Sequence, residues 1–292
     1  MNYRHSFHAG NSADVVKHSL LIALVKALQQ KQGALTLIDT HAGCGLYDLN
    51  AEDAQRTGES LLGVSRVSSA SDPLLNDYRA AVQAVNVAAA EPHFYPGSPR
   101  ILAQLLRPQD ALIVNEKHPE DARTLRRVMR DTSAAVHERD AYEFWLAMVP
   151  PRSSRGVVVV DPPYEQTDER ARITASLAAA NRKWAHGVTV IWYPLKDRAT
   201  HERWKEQLRR LSIPKLLCLE HWLYDSDQPD DVLEREFGLN VFFSRRQQVI
   251  YCSSNLVAMS RRNHSPTAVA REGVRGFRTG LEAGKIAECN TF

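Results

Sequence analysis

Four consecutive valines, Val157 to Val160, run straight into Asp161-Pro162-Pro163-Tyr164. An uninterrupted β-branched run suits a strand covered on both faces, and such strands belong to parallel sheets flanked by helices. The two prolines stop the strand and stiffen the loop that follows. Further short apolar runs at 35–39, 111–115, 135–138, 188–193, 215–220 and 239–243 read as strands, with the valine strand spanning 156–161. Segments with helical period lie among them, at 13–30, 100–106, 119–130, 142–148, 170–184 and 200–211. Such alternation predicts βαβ units and an α/β fold with a mostly parallel, doubly wound sheet. The first helix precedes the first strand and carries Leu20, Leu24 and Leu28 at i, i+4, i+8. Asn11 or Ser12 is its expected N-cap and Gly33 its expected stop.

With 292 residues, 43% hydrophobic and 24% charged, the chain has ordinary globular composition. No apolar run approaches a membrane span, and the polar, His-rich first ten residues lack the core of a signal peptide, so a cytoplasmic location is expected. Cys44, Cys218, Cys252 and Cys289 are far apart and form no zinc-spaced set, so neither a disulfide framework nor a metal site is predicted. A net charge of +3 permits a nucleic-acid partner without arguing for one. Residues 49–95 break the βα rhythm and read as a small helical insertion, after which Pro96-Gly97-Ser98-Pro99 returns the chain to the main domain. Residues 1–48 and 96–243 would form that domain. Residues 244–292, with eight Lys/Arg against three Glu, read as a basic tail.

Ligands in open α/β sheets bind beyond the carboxyl ends of the strands. Asp161 sits at such an end. Its carboxylate and the Pro162 carbonyl are acceptors for the two hydrogens of an exocyclic amine, and Tyr164 offers a ring to stack on the base. Asp39 ends the first strand and leads through His41 into Gly43 and Gly45. That loop alone also fits a nicotinamide cofactor, but the third glycine of the dinucleotide pattern is replaced by Asp48. Glu116 follows the second strand of the main sheet, where ribose hydroxyls are read. Asp140 follows the third and suits an adenine amino group, although a helix-cap role outweighs that reading for the residue alone. Asp39, Glu116, Asp140 and Asp161 together place four acids along one edge, which fits a cofactor bearing a ribose and an adenine.

Two basic clusters could meet phosphates. One is Arg123, Arg126, Arg127 and Arg130 on one helix face, for which a solvated surface is the stronger reading. The other is Arg203, Lys205, Arg209, Arg210 and Lys215. The segment from Tyr3 to Asn11 has two His, an Arg and two aromatics, a composition suited to binding.

The motifs resemble those of the RlmJ family of bacterial 23S rRNA adenine-N6 methyltransferases. The matching stretches are Tyr3 to Asn11, Ala13-Asp14-Val15, Lys17-His18, Asp39-Thr40-His41-Ala42-Gly43, Arg56-Thr57-Gly58-Glu59, Tyr95-Pro96-Gly97-Ser98-Pro99, Glu116 with His118-Pro119, Asp161 to Glu165, and Trp192-Tyr193-Pro194. The resemblance implies a Rossmann-like class I fold and S-adenosylmethionine as cofactor. It implies His18, His41, Ser98, Glu116, Asp140 and Asp161 as cofactor-contacting positions, with Ala141 where the family often has Gly. Asp161 would also be the catalytic carboxylate, with Pro162 and Tyr164 beside it, and Tyr3 a substrate contact. The implied partner is 23S rRNA, for a monomer without metal. Competing readings are the same chemistry on DNA adenine or a protein glutamine, and a non-catalytic RNA-binding protein on this fold. After Asp227 the chain departs from the family, lacking its Asn-Pro-Pro-Trp segment through divergence or a shifted reading frame, so the last strands of the sheet are expected to be altered or partly missing.

Overall fold

The computed structural model describes residues 5–68, 75–87, 89, 91–194, 198–213, 216–221, 237–242 and 290–291. A 3-10 turn, His5–Phe7, leads into α1 (Ser12–Gln29) and β1 (Thr36–Asp39). There follow β2 (Leu46–Asp48), the helices α2 (Glu52–Thr57), α3 (Glu59–Leu62), α4 (Val64–Ser68) and α5 (Asn76–Gln83), and β3 (Phe94–Pro96). The chain continues through α6 (Ser98–Gln104), β4 (Ala111–Asn115), α7 (Pro119–Val128), β5 (Ala135–His137), α8 (Ala141–Met148), β6 (Gly156–Val160) and α9 (Glu169–Lys183). Last come β7 (Val188–Pro194), α10 (Arg198–Arg210), β8 (Leu216–His221), β9 (Phe237–Phe242) and β10 (Asn290–Thr291).

The main sheet has the order β10-β8-β9-β7-β6-β1-β4-β5. Strands β7, β6, β1, β4 and β5 pair in parallel. From β1 the chain builds outward to β4 and β5, then returns to place β6 on the other side of β1. This reversal makes the β1/β6 boundary the topological switch point of a Rossmann-like sheet. Beyond β7, β9 runs antiparallel between β7 and β8. The strand expected at 239–243 forms as Phe237–Phe242 and lies between β7 and β8; most of the chain in which altered or missing last strands were expected lies outside the described residues. Residues 243–289 lie outside the described residues, as does most of the expected basic tail.

All five residues of β6 are buried, as the valine run demands. Its alternation splits the core in two. Val157 and Val159 join Leu37, Leu112 and Val114 under α1, α6 and α7, while Val158 and Val160 join Ile38, Phe144, Trp145, Ile173 and Trp204 under α8, α9 and α10. A third core lies between α1 and the segment spanning β2 to β3, built from Val15, Ile22, Tyr47, Val64, Tyr78 and Tyr95. Helix α1 thus faces two cores: Leu21, Leu24, Val25 and Leu28 look to the sheet, Val15 and Ile22 away from it.

Asn11 is the cap of α1, its side chain accepting from Asp14 N at 2.9 Å. The helix ends at Gln29, short of Gly33. Its last carbonyls are taken by Gln30 N on Ala27 O, by Lys31 N and Arg155 on Leu28 O, and by Arg107 on Gln29 O, with no left-handed residue needed. The antiparallel pair β2–β3, which no sequence pattern announced, brings Leu46 opposite Pro96 and closes the base of the 49–95 segment.

Candidate active site

The parallel register brings the four acids to one edge. Asp39 pairs with Val159, so Asp161 stands two residues further along the same direction on the neighbouring strand. Asp39 is fully buried, accepting from Ser98 Oγ at 2.7 Å and from His41 N at 3.2 Å. Burial pushes its carboxyl up to about 7, against the pull of these two hydrogen bonds. Glu116, just past β4, accepts from Gly43 N at 2.9 Å and from His118 N at 2.8 Å, and burial raises its pKa as well. Gly43 and Gly45 both have positive φ, and a Cβ at Gly43 would overlap the Tyr47 hydroxyl. The loop after β1 is therefore backbone held close to the tip of β4. Between the two loops, buried Asn115 donates to Thr40 O at 3.2 Å and Arg139 O at 3.1 Å, and accepts from Arg139 N at 3.0 Å.

His41 and His18 are both neutral imidazoles at pH 7. Burial pushes His41 down to about 4 and His18 to about 3. His18 Nδ1 lies 2.6 Å from Tyr95 Oη, which also accepts from Tyr78 Oη at 3.4 Å. His41 meets the ring of Tyr142 edge-on at 5.9 Å.

Asp140 N-caps α8, accepting from Tyr142 N at 3.1 Å and Glu143 N at 3.4 Å. Arg172 grips both its oxygens at 3.0 and 2.9 Å, and Lys117 stands at 3.1 Å. Burial opposes its ionisation, but these bonds prevail and hold it at about 2. The cap reading thus accounts for the Asp140 carboxylate, and Ala141, buried beside it, opens the helix.

Around Asp161 the structure adds Lys17, to which the sequence alone assigns no role. Lys17 Nζ lies 2.6 Å from Asp161 Oδ2 and 2.9 Å from Asp14 Oδ1, and 5.7 Å from the centroid of Trp192. Buried Asp14 also accepts from Gly10 N at 2.9 Å and stands 3.2 Å from His5 Nε2. Burial works against both charges of the pair. Even so, Lys17 and His5 hold the Asp14 carboxyl well below its usual range, and Asp14 and Asp161 hold the Lys17 ammonium well above its own. The signal in the sequence was the spacing: Asp14, Lys17 and His18 at i, i+3, i+4 share one side of α1. Pro162 is buried, and Tyr164, at φ 54°, donates from Oη to Trp192 O at 2.7 Å. Its ring is thus tethered to β7 beside the loop. Tyr3 lies outside the described residues.

The basic clusters are engaged mostly with neighbours on their own helices or on the surface. Arg123, Arg126, Arg127 and Arg130 are all exposed, Arg126 pairing with Glu138 at 2.9 Å, so the solvated-face reading describes them. On α10, Lys205 pairs with Glu202, and Arg209 and Arg210 pair with Glu206. Lys215 lies outside the described residues.

Comparison with known proteins now bears on this geometry. A family model described as ribosomal RNA large subunit methyltransferase D, RlmJ, matches residues 32–232. The chain belongs to the RlmJ family. Ribosomal RNA large subunit methyltransferase J of Escherichia coli (strain K12) is 38% identical over 232 residues, 78% of this chain and 82% of that protein. The protein of the same name from Haemophilus influenzae is 35% identical over 233 residues, 78% of this chain and 83% of its own. A crystal structure from Legionella pneumophila superposes with a TM-score of 0.76 at 27% identity, covering 87% of this chain and 92% of that one. The match to the RlmJ family ends near residue 232, close to where the sequence departs from the family pattern. It takes in Asp39, Glu116, Asp140 and Asp161, while Lys17 and Asp14 precede it. Among the described residues, no helix is long and apolar enough to cross a membrane.

Proposed function

We propose that this chain transfers a methyl group from S-adenosylmethionine to the N6 amine of a specific adenine in 23S rRNA, as a cytoplasmic, metal-independent monomer. In this reading residues 49–95 are a helical insertion on the methyltransferase domain and 244–292 a basic tail. The observation that carries it is Asp161-Pro162-Pro163-Tyr164 directly after β6, at the switch point of the sheet. Large-subunit rRNA as substrate follows from the names of the curated relatives.

The residues present fit the cofactor. Glu116, fixed by two backbone amides, is an acceptor for a ribose diol at the tip of β4. Gly43, whose Cβ direction is filled by the Tyr47 hydroxyl, keeps the loop after β1 close enough for its N–H to hold Glu116. Asp39 supplies a buried carboxyl beside Ser98, suited to a cationic ligand, and His18 and His41 are neutral and bring no repelling charge. Asp140 and Ala141 border the adenine side through backbone, since the Asp140 carboxylate is already engaged. When bound, the cofactor supplies an electrophilic methyl group.

The rest is alignment of a poor nucleophile, because the amine lone pair is delocalised into the ring. Asp161 meets Lys17 through Oδ2, and among the described residues no hydrogen bond reaches Oδ1. That oxygen and the Pro162 carbonyl accept the two N6 hydrogens and favour a more tetrahedral nitrogen. Tyr164, tethered through Trp192 O, holds the flipped base flat for in-line attack.

The test is to incubate the protein with S-adenosylmethionine and unmodified, protein-free 23S rRNA and to assay N6-methyladenosine by nucleoside mass spectrometry. The wild type is expected to form it. Asp161→Ala is expected to keep the fold and to lose turnover. Full activity in that variant refutes the role of Asp161, and an unmodified rRNA refutes the substrate.

A further inference from the structure

The Arg56-Thr57-Gly58-Glu59 stretch has no part in the site described above, yet it is bound through several side chains to the N-terminal segment. Gly58, at φ 62°, ends α2 and lets α3 begin at once, which swings Glu59 back toward the N-terminal segment. Glu59 is largely buried, and its two oxygens take different partners. Oε1 stands 3.1 Å from His8 Nδ1, and Oε2 accepts from Asn11 Nδ2 at 3.0 Å. The neighbours of Glu59 hold the same segment: Thr57 Oγ1 donates to the Phe7 carbonyl, the Arg56 guanidinium lies 5.9 Å from the centre of the Phe7 ring, and Ser6 Oγ donates to Asp53 at 3.1 Å. Backbone closes the contact, Val64 N donating to Gly10 O at 2.8 Å. A Cβ at Gly63 would overlap Gly10 O, so the two backbones are in direct contact.

From Glu59 the hydrogen bonds continue to the reacting edge. Asn11 uses its amide nitrogen on Glu59 and its amide oxygen on Asp14 N. Asp14 accepts from Gly10 N and pairs with Lys17, which pairs with Asp161. The link from Asn11 runs to the Asp14 backbone N–H, and the Asp14 carboxylate that carries the network on to Lys17 is buried. We infer that Glu59 is a positioning residue for methyl transfer, which acts through Asn11, His8 and Asp14 to hold the N-terminal segment and Lys17 in register with Asp161. It touches neither cofactor nor substrate. The role rests on the function proposed above and gives the insertion a part in the reaction: it is the bed on which the N-terminal segment lies.

Loss of a hydrogen bond to a charged group is worth about tenfold to a hundredfold in an equilibrium. The experiment uses the full chain as wild type, Glu59→Ala and Glu59→Gln. It measures kcat and KM on protein-free 23S rRNA, S-adenosylmethionine binding by calorimetry, and amide hydrogen exchange in peptides covering residues 5–12. Glu59→Ala is expected to lower kcat by about tenfold or more, with cofactor affinity held within about twofold, and to speed exchange in 5–12 but not in β1 or β6. Glu59→Gln keeps the shape and an acceptor for Asn11, and is expected to recover most of kcat. A wild-type kcat in Glu59→Ala overturns the role. So does a loss in both variants accompanied by lost cofactor binding and by faster exchange through the sheet, the mark of a general structural defect. A wild type that binds S-adenosylmethionine and leaves rRNA unmodified overturns the functional reading instead.

Discussion

Replacing Lys17 by methionine removes the cation from between two carboxylates while keeping an unbranched, helix-forming side chain. In the native protein Lys17 is 11% exposed, Asp14 3% and Asp161 22%, so the pair with Asp14 is buried and poorly screened. Asp14 has its pKa lowered by folding and contributes stability above its unfolded value near 4, lost as pH falls. Lys17 has its pKa raised and contributes below its unfolded value near 10, lost as pH rises. Together they support the fold across neutral pH. Breaking a buried pair by removing one partner leaves an uncompensated charge and costs about 3–5 kcal/mol. In Lys17→Met, burial remains at Asp14 without its main counter-charge, so its folded pKa rises above the unfolded one. A group of that kind costs stability as pH rises. The destabilisation is therefore expected to be about 3–5 kcal/mol at pH 8. At pH 5 it shrinks by about 1.4 kcal/mol for each unit that the Asp14 pKa has moved above 5. Urea unfolding at both pH values measures it, with the slope of the transition checked for equality between variant and wild type. A loss below about 1 kcal/mol at pH 8, or an equal loss at both pH values, would refute the claim that Asp14 is a buried charge held by Lys17.

Asp39 gives the opposite pH dependence in the wild type. Its carboxyl is pushed up to about 7 by burial, so its ionisation costs stability between its unfolded value near 4 and 7. Asp39→Asn is expected to gain on the wild type in melting temperature as pH rises from 4 to 8, and a pH-independent difference would contradict the assignment. Gly43→Ala places a Cβ on the Tyr47 hydroxyl at a φ of +60°. It is expected to destabilise by about 1–3 kcal/mol and to weaken S-adenosylmethionine binding in calorimetry, and unchanged affinity would show that this loop does not approach the ligand.

The valine strand was legible because one physical demand, burial on both faces, leaves one residue class. The acids at the strand tips were legible because parallel pairing puts every carboxyl end on the same side. The pair β2–β3 was not: two strands of three residues, separated by the 45 residues from 49 to 93, carry too few alternations to register, and Pro96 argues against a ladder. Asp140 shows the limit of reading single residues. Its position suited a ligand, but a carboxylate at the start of a helix is drawn first to the free amides there.

Lys17 marks a different limit. Its partner Asp161 is 144 residues away, and no local pattern can announce such a pair. What places it is α1 itself. This helix presents leucines to the sheet and Val15 and Ile22 to the third core, so its remaining side chains must lie along the seam between them. Polar groups in such a seam are costly unless each finds a partner. Asp14, Lys17 and His18 satisfy that demand with Gly10 N, Asp161 and Tyr95, one from each body that meets there. The same requirement that makes the seam stable thus ties the N-terminal segment, the insertion and the reacting edge into one network. Asp14 is the member with the most partners, and a change there should be felt on all three sides at once.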